Sequence, residues 1–323
     1  MYRRLCILAA ALAAALATTL PPAAAQSGYP GKTIRVIVPT PAGGPSDAAA
    51  RLLMQAISKP LGQHVVIENK PGAGGAIAAQ ALMAAPADGY TLMWTLSSMS
   101  GLAELQKASP YRSLAELTPV ALVGHFTYAM FVNVDLPART VADFVEYAIA
   151  RPDGISYATG SLGDYMATTR FLASTGVRAV RVPYRGGSLL MPDLVTGRVQ
   201  LNFGPVSSGL QHVKEGKLRM LAVLSPQRSP LAPEVPTLTE AGVRGVSLPT
   251  WQALFAPANT PPEIAERLSR EVAAALAEPA LRAQFEQLAL LVDSSSPQRL
   301  AVVADQATHA WRTFATEYKI APE

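Results

Sequence analysis

The sequence has few residues that form covalent cross-links or metal centres. Its only cysteine is Cys6, close to the start of the chain, so a disulfide within the chain is excluded. The histidines lie far apart and form neither an HExxH motif nor another metal-ligand spacing. Charged residues make up only 15% of the chain, and no cluster of Lys or Arg resembles a nucleic-acid footprint. We therefore expect no cofactor, no metal site and no nucleic-acid partner.

The first 25 residues differ from the rest of the chain. Arg3 and Arg4 precede an apolar, alanine-rich run from Leu5 to Leu20, which is too short to span a bilayer comfortably. Two prolines end this run, and three alanines ending at Ala25 offer a small-residue cleavage site. This order predicts a secretory signal peptide over residues 1–25, cleaved after Ala25, and therefore export to a periplasm. The alternative is an uncleaved membrane anchor, which needs about 20 apolar residues.

Short β-rich runs alternate with helical stretches over most of the remaining chain. The predicted strands are 34–38, 65–68, 91–95, 120–123, 129–133, 155–158, 180–182, 199–203, 218–224 and 251–255. The helices predicted between them are 47–58, 75–85, 141–150, 164–174, 188–196 and 206–215. Strands alternating with helices of this length indicate an α/β protein with βαβ units and parallel sheets.

The last part of the chain is predicted to be helical. Helices are expected over 261–277, 281–291 and 297–318, without a strand of their own to pack on. This segment is therefore expected to return to the first of two lobes, each an open sheet flanked by helices. Lobe 1 would comprise residues 26–129 and 251–323, and lobe 2 residues 130–250. Two connecting strands would form a hinge and leave a cleft between the sheets.

Glycine-rich turns follow strands in both predicted lobes. The turn 39–47 contains Gly43 and Gly44, which let the backbone approach a ligand, and it opens a helix whose first N–H groups form an anion site. An ordinary strand-to-helix connection is the alternative. The turns 159–164 and 183–188 follow strands and open helices in the same way. Arg185 in the last turn either attracts a carboxylate or is a solvated surface charge.

Two other motifs suggest functions that the sequence supports less well. The glycines of segment 72–75 are misplaced for a dinucleotide-binding fingerprint, so we interpret this segment as a tight turn into a closely packed helix. Ser161 suggests a hydrolase nucleophile, but Thr159 leaves the Gly-x-Ser-x-Gly motif incomplete. A triad assembled from distant residues stays open. Binding without catalysis is the preferred interpretation.

A series of characteristic sequence motifs, here called landmarks, extends from about residue 29 to residue 320. They are YPGKTIRVIVPTPAGGPSD, VVIENKPGAGG, APADGYTL, VPYRGG, LVTGRVQLNF and KLRMLAV, followed by SPLAPEVPTLTEAG and LFAPANTPPEI. In these landmarks the chain resembles the receptors of tripartite tricarboxylate transporters, also called Bug receptors, which are periplasmic solute-binding proteins. The resemblance implies a type II-like periplasmic binding protein fold, a small organic carboxylate as ligand, transient contact with membrane transporter subunits, and no catalysis. We expect a monomer. A periplasmic sensor that presents its closed form to a signalling partner is the alternative.

The resemblance also implies which residues contact the ligand. In the family, loops after the strands hold a carboxylate through backbone N–H groups, hydroxyls and bridging water. The first-lobe contacts would be Thr40, Ala42, Gly43, Gly44, Ser46, Asp47, Ser97 and Ser98. The second-lobe contacts would be Thr159, Gly160, Gly163, Asp164, Tyr184, Arg185, Gly186 and Gly187. The carboxylate at position 47 is expected to brace its loop more than to contact the ligand.

Departures from the family pattern suggest two hypotheses about the ligand. Thr40 stands where relatives often have Phe, and Met99 and Leu102 fall near positions that are often polar. A more apolar third loop would accept a larger or aromatic carboxylate. Asp164 occupies a helix-start position that is commonly Ser. If it faces the cleft, it repels a second carboxylate or pairs with an amine; if it only caps its helix, it has no bearing on the ligand.

Overall fold

The computed structural model describes residues 28–152 and 154–322. The predicted signal peptide, residues 1–25, lies outside this part of the chain. The compact unit Lys32–Glu323 contains the helices and strands given below. Within the described residues, none of the helices has the length and apolar character needed to cross a membrane.

The first sheet has six strands and is mixed. They are β1 (Ile34–Val38), β2 (Val65–Asn69), β3 (Thr91–Leu96), β4 (Thr118–Phe126), β10 (Trp251–Ala256) and β11 (Leu290–Ser295), numbered in chain order. Their spatial order is β11-β4-β10-β3-β1-β2. β1 pairs in parallel with β2 and β3, whereas β10 is antiparallel to β3 and β4, and β11 is antiparallel to β4.

The second sheet has five strands and is also mixed. They are β5 (Tyr128–Asn133), β6 (Ser156–Thr159), β7 (Val180–Pro183), β8 (Leu201–Pro205) and β9 (Leu218–Val223), in the spatial order β7-β6-β8-β5-β9. β6 is parallel to β7 and β8, and β5 is antiparallel to β8 and β9. The prediction of parallel sheets is therefore only partly right. β5 enters the second sheet directly from β4 of the first sheet, so no crossover helix of the kind that joins parallel neighbours sets its direction.

Helices flank both sheets. They are α1 (Pro45–Leu61), α2 (Ala76–Met83), α3 (Leu102–Leu105), α4 (Val141–Ile149), α5 (Leu162–Thr175), α6 (Gly187–Val195), α7 (Val206–Lys214), α8 (Pro262–Ala277), α9 (Pro279–Gln287) and α10 (Pro297–Glu317). Local chemistry sets their ends. α1 begins with Pro45, which has no N–H that would lack a partner in the first turn, and it ends at Leu61, before Gly62, whose φ of 64° suits glycine. Thr140 and Asp143 form a reciprocal capping box at the start of α4.

The chain passes between the sheets twice. Only Thr127 separates β4 from β5, and the segment 224–250 returns from β9 to β10. We call the first sheet with α1–α3 and α8–α10 the first lobe, and the second sheet with α4–α7 the second lobe. The α/β fold of two lobes with open sheets is confirmed. The boundaries at residues 129/130 and 250/251, and the hinge itself, stay predictions.

One predicted element is wrong. The stretch 281–291 was expected to be a single helix, but α9 ends at Gln287 and Ala289 has a φ of 55°. β11 then begins at Leu290 and pairs with β4. The C-terminal segment therefore contributes a strand to the first sheet, as well as helices.

Helix α5 of the second lobe packs on the first lobe. Leu162 and Met166 belong to the same buried cluster as Trp311 and Phe314 of α10. The Tyr165 ring meets the Phe314 ring edge-on, with their centroids 6.0 Å apart. The two lobes are therefore in direct apolar contact beside the loops that follow the strands.

Candidate functional site

A cavity of about 60 Å³ lies between the lobes, at the ends of the strands. The loops after β1, β3, β6 and β7 contribute to its wall, as expected for a ligand site in open α/β sheets. Its polar wall consists of Thr40, Ser46, Ser97, Ser98, Tyr128, Ser161, Asp164, Ser188, Asn202, Ser208, Thr250 and Gln252. Among the described residues that line it, Asp164 alone has a charged side chain. The wall therefore offers mainly neutral hydrogen-bonding groups.

The sixteen residues implied by the resemblance fall into three groups. Those that line the cavity are Thr40, Gly44, Ser46, Ser97, Ser98, Gly160, Asp164 and Gly187. An adjoining cavity of about 280 Å³ is lined by Thr159, Tyr184 and Arg185, and it shares Thr40, Leu96, Gly160 and Ser161 with the first. The residues that line neither are Ala42, Gly43, Asp47, Gly163 and Gly186. Contact of any of them with a ligand remains a prediction.

The carboxylate of Asp47 bonds within its own lobe. One oxygen, Oδ2, accepts the Gly43 N–H at 2.9 Å and the Arg51 Nε–H at 2.9 Å. The other, Oδ1, accepts a hydrogen bond from Asn69 at 2.8 Å. Burial raises the pKa of Asp47, but these hydrogen bonds outweigh it and hold the pKa below its ordinary value. These contacts agree with the bracing role that the resemblance implies.

The carboxylate of Asp164 takes the position in the second lobe that Asp47 takes in the first. Its Oδ2 accepts the Gly160 N–H at 2.8 Å, four residues earlier, as Asp47 accepts the N–H of Gly43. Its Oδ1 accepts the Ser161 hydroxyl at 2.5 Å, and the Asp164 N–H donates to Ser161 Oγ at 3.2 Å. Ser161 is therefore the N-cap of α5, whereas Asp164 fixes the turn before this helix and also lines the cavity, so the option that it only caps its helix does not apply.

The two carboxylates differ in their counter-charge. Asp47 pairs with Arg51, four residues later on α1. Four residues after Asp164 stands Thr168, whose hydroxyl donates to the backbone carbonyl of Asp164 at 2.8 Å. Within the described residues, no Lys, Arg or His forms an ion pair with Asp164. Burial raises its pKa to about 6, although hydrogen bonds from Ser161 and Gly160 lower it.

We expect the ligand-free protein to lose stability as the pH rises through about 6. The pKa of Asp164 lies above 3.8, so the folded state holds this proton more tightly than the unfolded state. The bound proton stabilises the folded state fully below about pH 4, and this stabilisation is lost as the pH rises through the folded-state pKa, about 6. The free energy of unfolding should fall by roughly 2–3 kcal/mol over this range. The neighbouring Tyr128 does not titrate in this range, because burial raises its pKa above 10.0.

Urea unfolding of the wild type and of Asp164→Asn between pH 4.5 and pH 8 measures this effect. The amide does not ionise, so the variant's free energy of unfolding should lack this decline. Parallel pH profiles for the two proteins would contradict the expectation.

Polar residues within strands complete the wall, and the sequence analysis missed them. Gln252 of β10 accepts hydrogen bonds at Oε1 from Trp94 Nε1 (2.8 Å) and from Ser46 Oγ (3.2 Å), so it fixes the start of α1 to the sheet. Asn202 of β8 donates to the Ala158 carbonyl at 3.0 Å. A single amide inside an otherwise apolar strand is the signal that would have identified both residues.

The hydroxyl of Thr40 is a buried group that has no hydrogen-bond partner within the described residues. Its backbone is fixed, because Asn69 donates to the Thr40 carbonyl at 3.0 Å. Since Thr40 lines the cavity, its hydroxyl is a ready partner for a polar ligand. Ser97 is already engaged, as its hydroxyl donates to the Pro249 carbonyl at 2.7 Å.

The hypothesis of an apolar third loop facing the ligand is wrong. Met99 and Leu102 are fully buried in the core of the first lobe and do not line the cavity. A short 3-10 turn, Ser97–Gly101, presents Ser97 and Ser98 to the cavity instead. Met99 packs against the turn after β2, where a Cβ added to Gly75 would lie 3.0 Å from its side chain. Gly75 has a φ of 105°, which supports the interpretation of segment 72–75 as a tight, closely packed turn.

Gly186 and Pro41 meet across the gap between the lobes. A Cβ added to Gly186 would lie 2.4 Å from Pro41 Cδ and 2.6 Å from Pro41 Cγ. The backbone of Gly186 is extended, with a φ of 168°, so the close approach and not the conformation requires glycine. Gly160 similarly packs on the next loop of its own lobe, since an added Cβ would lie 2.4 Å from the Gly187 nitrogen.

Comparisons with known proteins all indicate the same family. The model of the tripartite tricarboxylate transporter family receptor matches residues 49–318. Protein BugT of Bordetella pertussis is 35% identical over 284 residues, which cover 86% of this chain and 87% of BugT.

Two solved structures share the fold over nearly their whole length. R. palustris Rpa4515 with adipate has a TM-score of 0.87 and 30% identity, covering 91% of this chain and 100% of that one. MatC from Rhodopseudomonas palustris with bound malate has a TM-score of 0.83 and 29% identity, covering 88% and 99%. The chain therefore belongs to the tripartite tricarboxylate transporter receptor family, whose members are periplasmic solute-binding proteins and not enzymes.

Proposed function

We propose that this protein binds a small organic carboxylate in the cavity between its lobes and delivers it to a membrane transporter of the tripartite tricarboxylate type. In this proposal residues 1–25 direct the chain to the periplasm and are then removed. The protein acts as a monomer that closes on its ligand by hinge motion. The adipate of Rpa4515 and the malate of MatC, both carboxylates, support this ligand class.

The observation that carries the proposal is a pair of uncapped helix starts facing the cavity. Neither α1 nor α6 has a side-chain hydrogen bond capping its first turn. Gly44 and Ser46 at the start of α1, and Gly187 and Ser188 at the start of α6, line the cavity. The first N–H groups of a helix have no partner within the helix and attract anions. A carboxylate between α1 and α6 would supply the missing acceptors from both lobes at once.

The adjoining cavity is a weaker place for the carboxylate. It is larger and is bordered by Arg181 and Arg185, but the residues that begin α1 and α6 do not line it. Arg181 is engaged there, with its guanidinium 4.1 Å from the centre of the Tyr165 ring and Nε 3.2 Å from Thr159 Oγ1. Exposed Arg185 therefore serves better to attract an approaching anion than to hold a buried one.

A panel of organic acids should reveal the ligand by its effect on thermal unfolding. An acid present at about 100 times its Kd should stabilise the fold by roughly 2.7 kcal/mol, because it binds the folded state alone. The neutral amide of the same acid is the matched control, and it should give no stabilisation since it does not place an anion at the helix starts. Titration calorimetry then gives the Kd. If no organic acid stabilises the protein while its fold is intact, the proposed function is wrong.

A further inference from the structure

Asp164 is a buried anion in a cavity that is proposed to receive another anion. Its residue is only 3% exposed, and it lines the cavity wall. Tyr128, a titratable neighbour on β5, hydrogen-bonds with the side chains of Ser161 and Asp164 and brings no positive charge. Removing a carboxylate from water is costly unless a cation or hydrogen-bond donors compensate for it. The donors are present, and the cation is not found among the described residues.

The equivalent carboxylate in the first lobe shows what Asp164 lacks. Asp47 and Asp164 accept the N–H of the glycine four residues earlier, at 2.9 and 2.8 Å. Arg51 compensates the charge of Asp47 from the next helical turn. The corresponding position in α5 is Thr168, which is neutral and fully buried. The two loops thus share one hydrogen-bonding pattern, but among residues 28–152 and 154–322 a counter-ion is found for Asp47 and not for Asp164.

Asp164 lies beside the start of α5, the third helix start at the cavity. Ser161 caps the start of α5, and the carboxylate of Asp164 accepts hydrogen bonds from the Ser161 hydroxyl and the Gly160 N–H, so a side-chain anion already lies beside that helix start. The starts of α1 and α6 have no such cap. A second carboxylate of the ligand, directed towards α5, would meet a like charge in a buried site, which is strongly unfavourable.

We propose, on the basis of the function proposed above, that Asp164 selects a ligand that carries an ammonium group together with its carboxylate. The ligand's carboxylate lies against the starts of α1 and α6, and its ammonium group faces Asp164. The ammonium group supplies the counter-charge that Arg51 supplies to Asp47. The ligand class is therefore an aminocarboxylate, and a dicarboxylate of the same chain length is disfavoured.

Chain-matched ligands test this selection by titration calorimetry at pH 7.5. The pairs are 3-aminopropanoate with succinate, 4-aminobutyrate with glutarate, and 5-aminopentanoate with adipate, together with 2-aminopentanoate and pentanoate for an α-ammonium group. The wild type should prefer the ammonium member of at least one pair by at least tenfold. A wild type that binds the dicarboxylates or pentanoate as tightly as their partners would overturn the proposal.

Two substitutions of Asp164 test whether this residue causes the preference for ligands with an ammonium group. Asp164→Asn keeps the shape and removes the charge, and it should reduce the preference at least tenfold and improve dicarboxylate binding. Asp164→Ser, which keeps a short polar group at the helix start, is the second variant if the first does not fold. Asp305→Asn removes one charge from an exposed position on α10 and should leave the preference unchanged.

The outcomes separate this inference from the proposed function. If no organic acid binds the wild type, the proposed function fails. If acids bind but the ratio within each pair is the same for the wild type and the Asp164 variants, only the role of Asp164 is refuted.

Discussion

Replacing Gly186 with alanine is expected to weaken carboxylate binding by at least a hundredfold, about 2.7 kcal/mol. The added methyl group would lie 2.4 Å from Pro41 Cδ, well inside van der Waals contact, so the lobes could not approach as closely as they do here. The backbone at Gly186 is extended, with φ 168°, so alanine itself is tolerated within the second lobe. The loss should therefore appear in the Kd, measured by calorimetry with the best organic acid, while the fold stays intact.

A second substitution separates this contact from other effects of the alanine. The atoms that an alanine at Gly186 would meet are Cγ and Cδ of Pro41, and Pro41→Ala removes both. We expect the Kd of the double variant, Gly186→Ala with Pro41→Ala, to lie within tenfold of the Kd of Pro41→Ala alone. The two substitutions are then not additive, as is usual for residues in direct contact. Wild-type affinity for the single Gly186→Ala variant would show that ligand binding does not require the lobes to approach this closely.

Replacing Trp311 with alanine should lower the free energy of unfolding by about 3–5 kcal/mol. Trp311 is 1% exposed, and its ring packs edge-on against Phe314 with centroids 5.6 Å apart. The ring also fills the space beside Gly101, where an added Cβ would lie 2.4 Å from Trp311 Cδ2. Because its cluster includes Leu162 of α5, the substitution removes packing between the lobes as well as within one.

Urea unfolding measures this loss, and helix α10 provides a matched control. Val302→Ala truncates a side chain on the same helix, but Val302 is 57% exposed, so we expect a change below about 0.5 kcal/mol. A loss of less than 1 kcal/mol for Trp311→Ala would mean that α10 is not anchored to the first lobe through this ring.

Local patterns were sufficient to predict most strands and helices. The strand 34–38 coincides with β1, because an apolar run followed by a Pro- and Gly-rich turn is a local signal. β11 was missed because its second half is polar and gives no alternation. The end of α9 is also hidden in the sequence, since the positive φ that follows it belongs to Ala289 and not to a glycine. The direction of strand pairing was predicted only in part, because it depends on segments far apart in the chain.

The part of the candidate site that is formed by the turns at the ends of strands could be predicted from the sequence. The turns after β1 and β6 line one cavity because the ends of strands in facing sheets converge. Gln252 could be noticed as the one amide of an apolar strand, but its contacts could not be predicted from the sequence, because they depend on β10 lying between β3 and β4. Met99 was misjudged for a similar reason, since a 3-10 turn decides which residues of the third loop face the cavity.

A crystal structure of the protein with its tightest-binding organic acid would show directly whether the cavity between the lobes holds the carboxylate. We expect the ligand's carboxylate in the cavity between the lobes, within hydrogen-bond distance of the N–H groups of Ser46 at the start of α1 and Ser188 at the start of α6. A ligand held in the adjoining cavity beside Arg185, or on an outer face with the cavity between α1 and α6 empty, would contradict it.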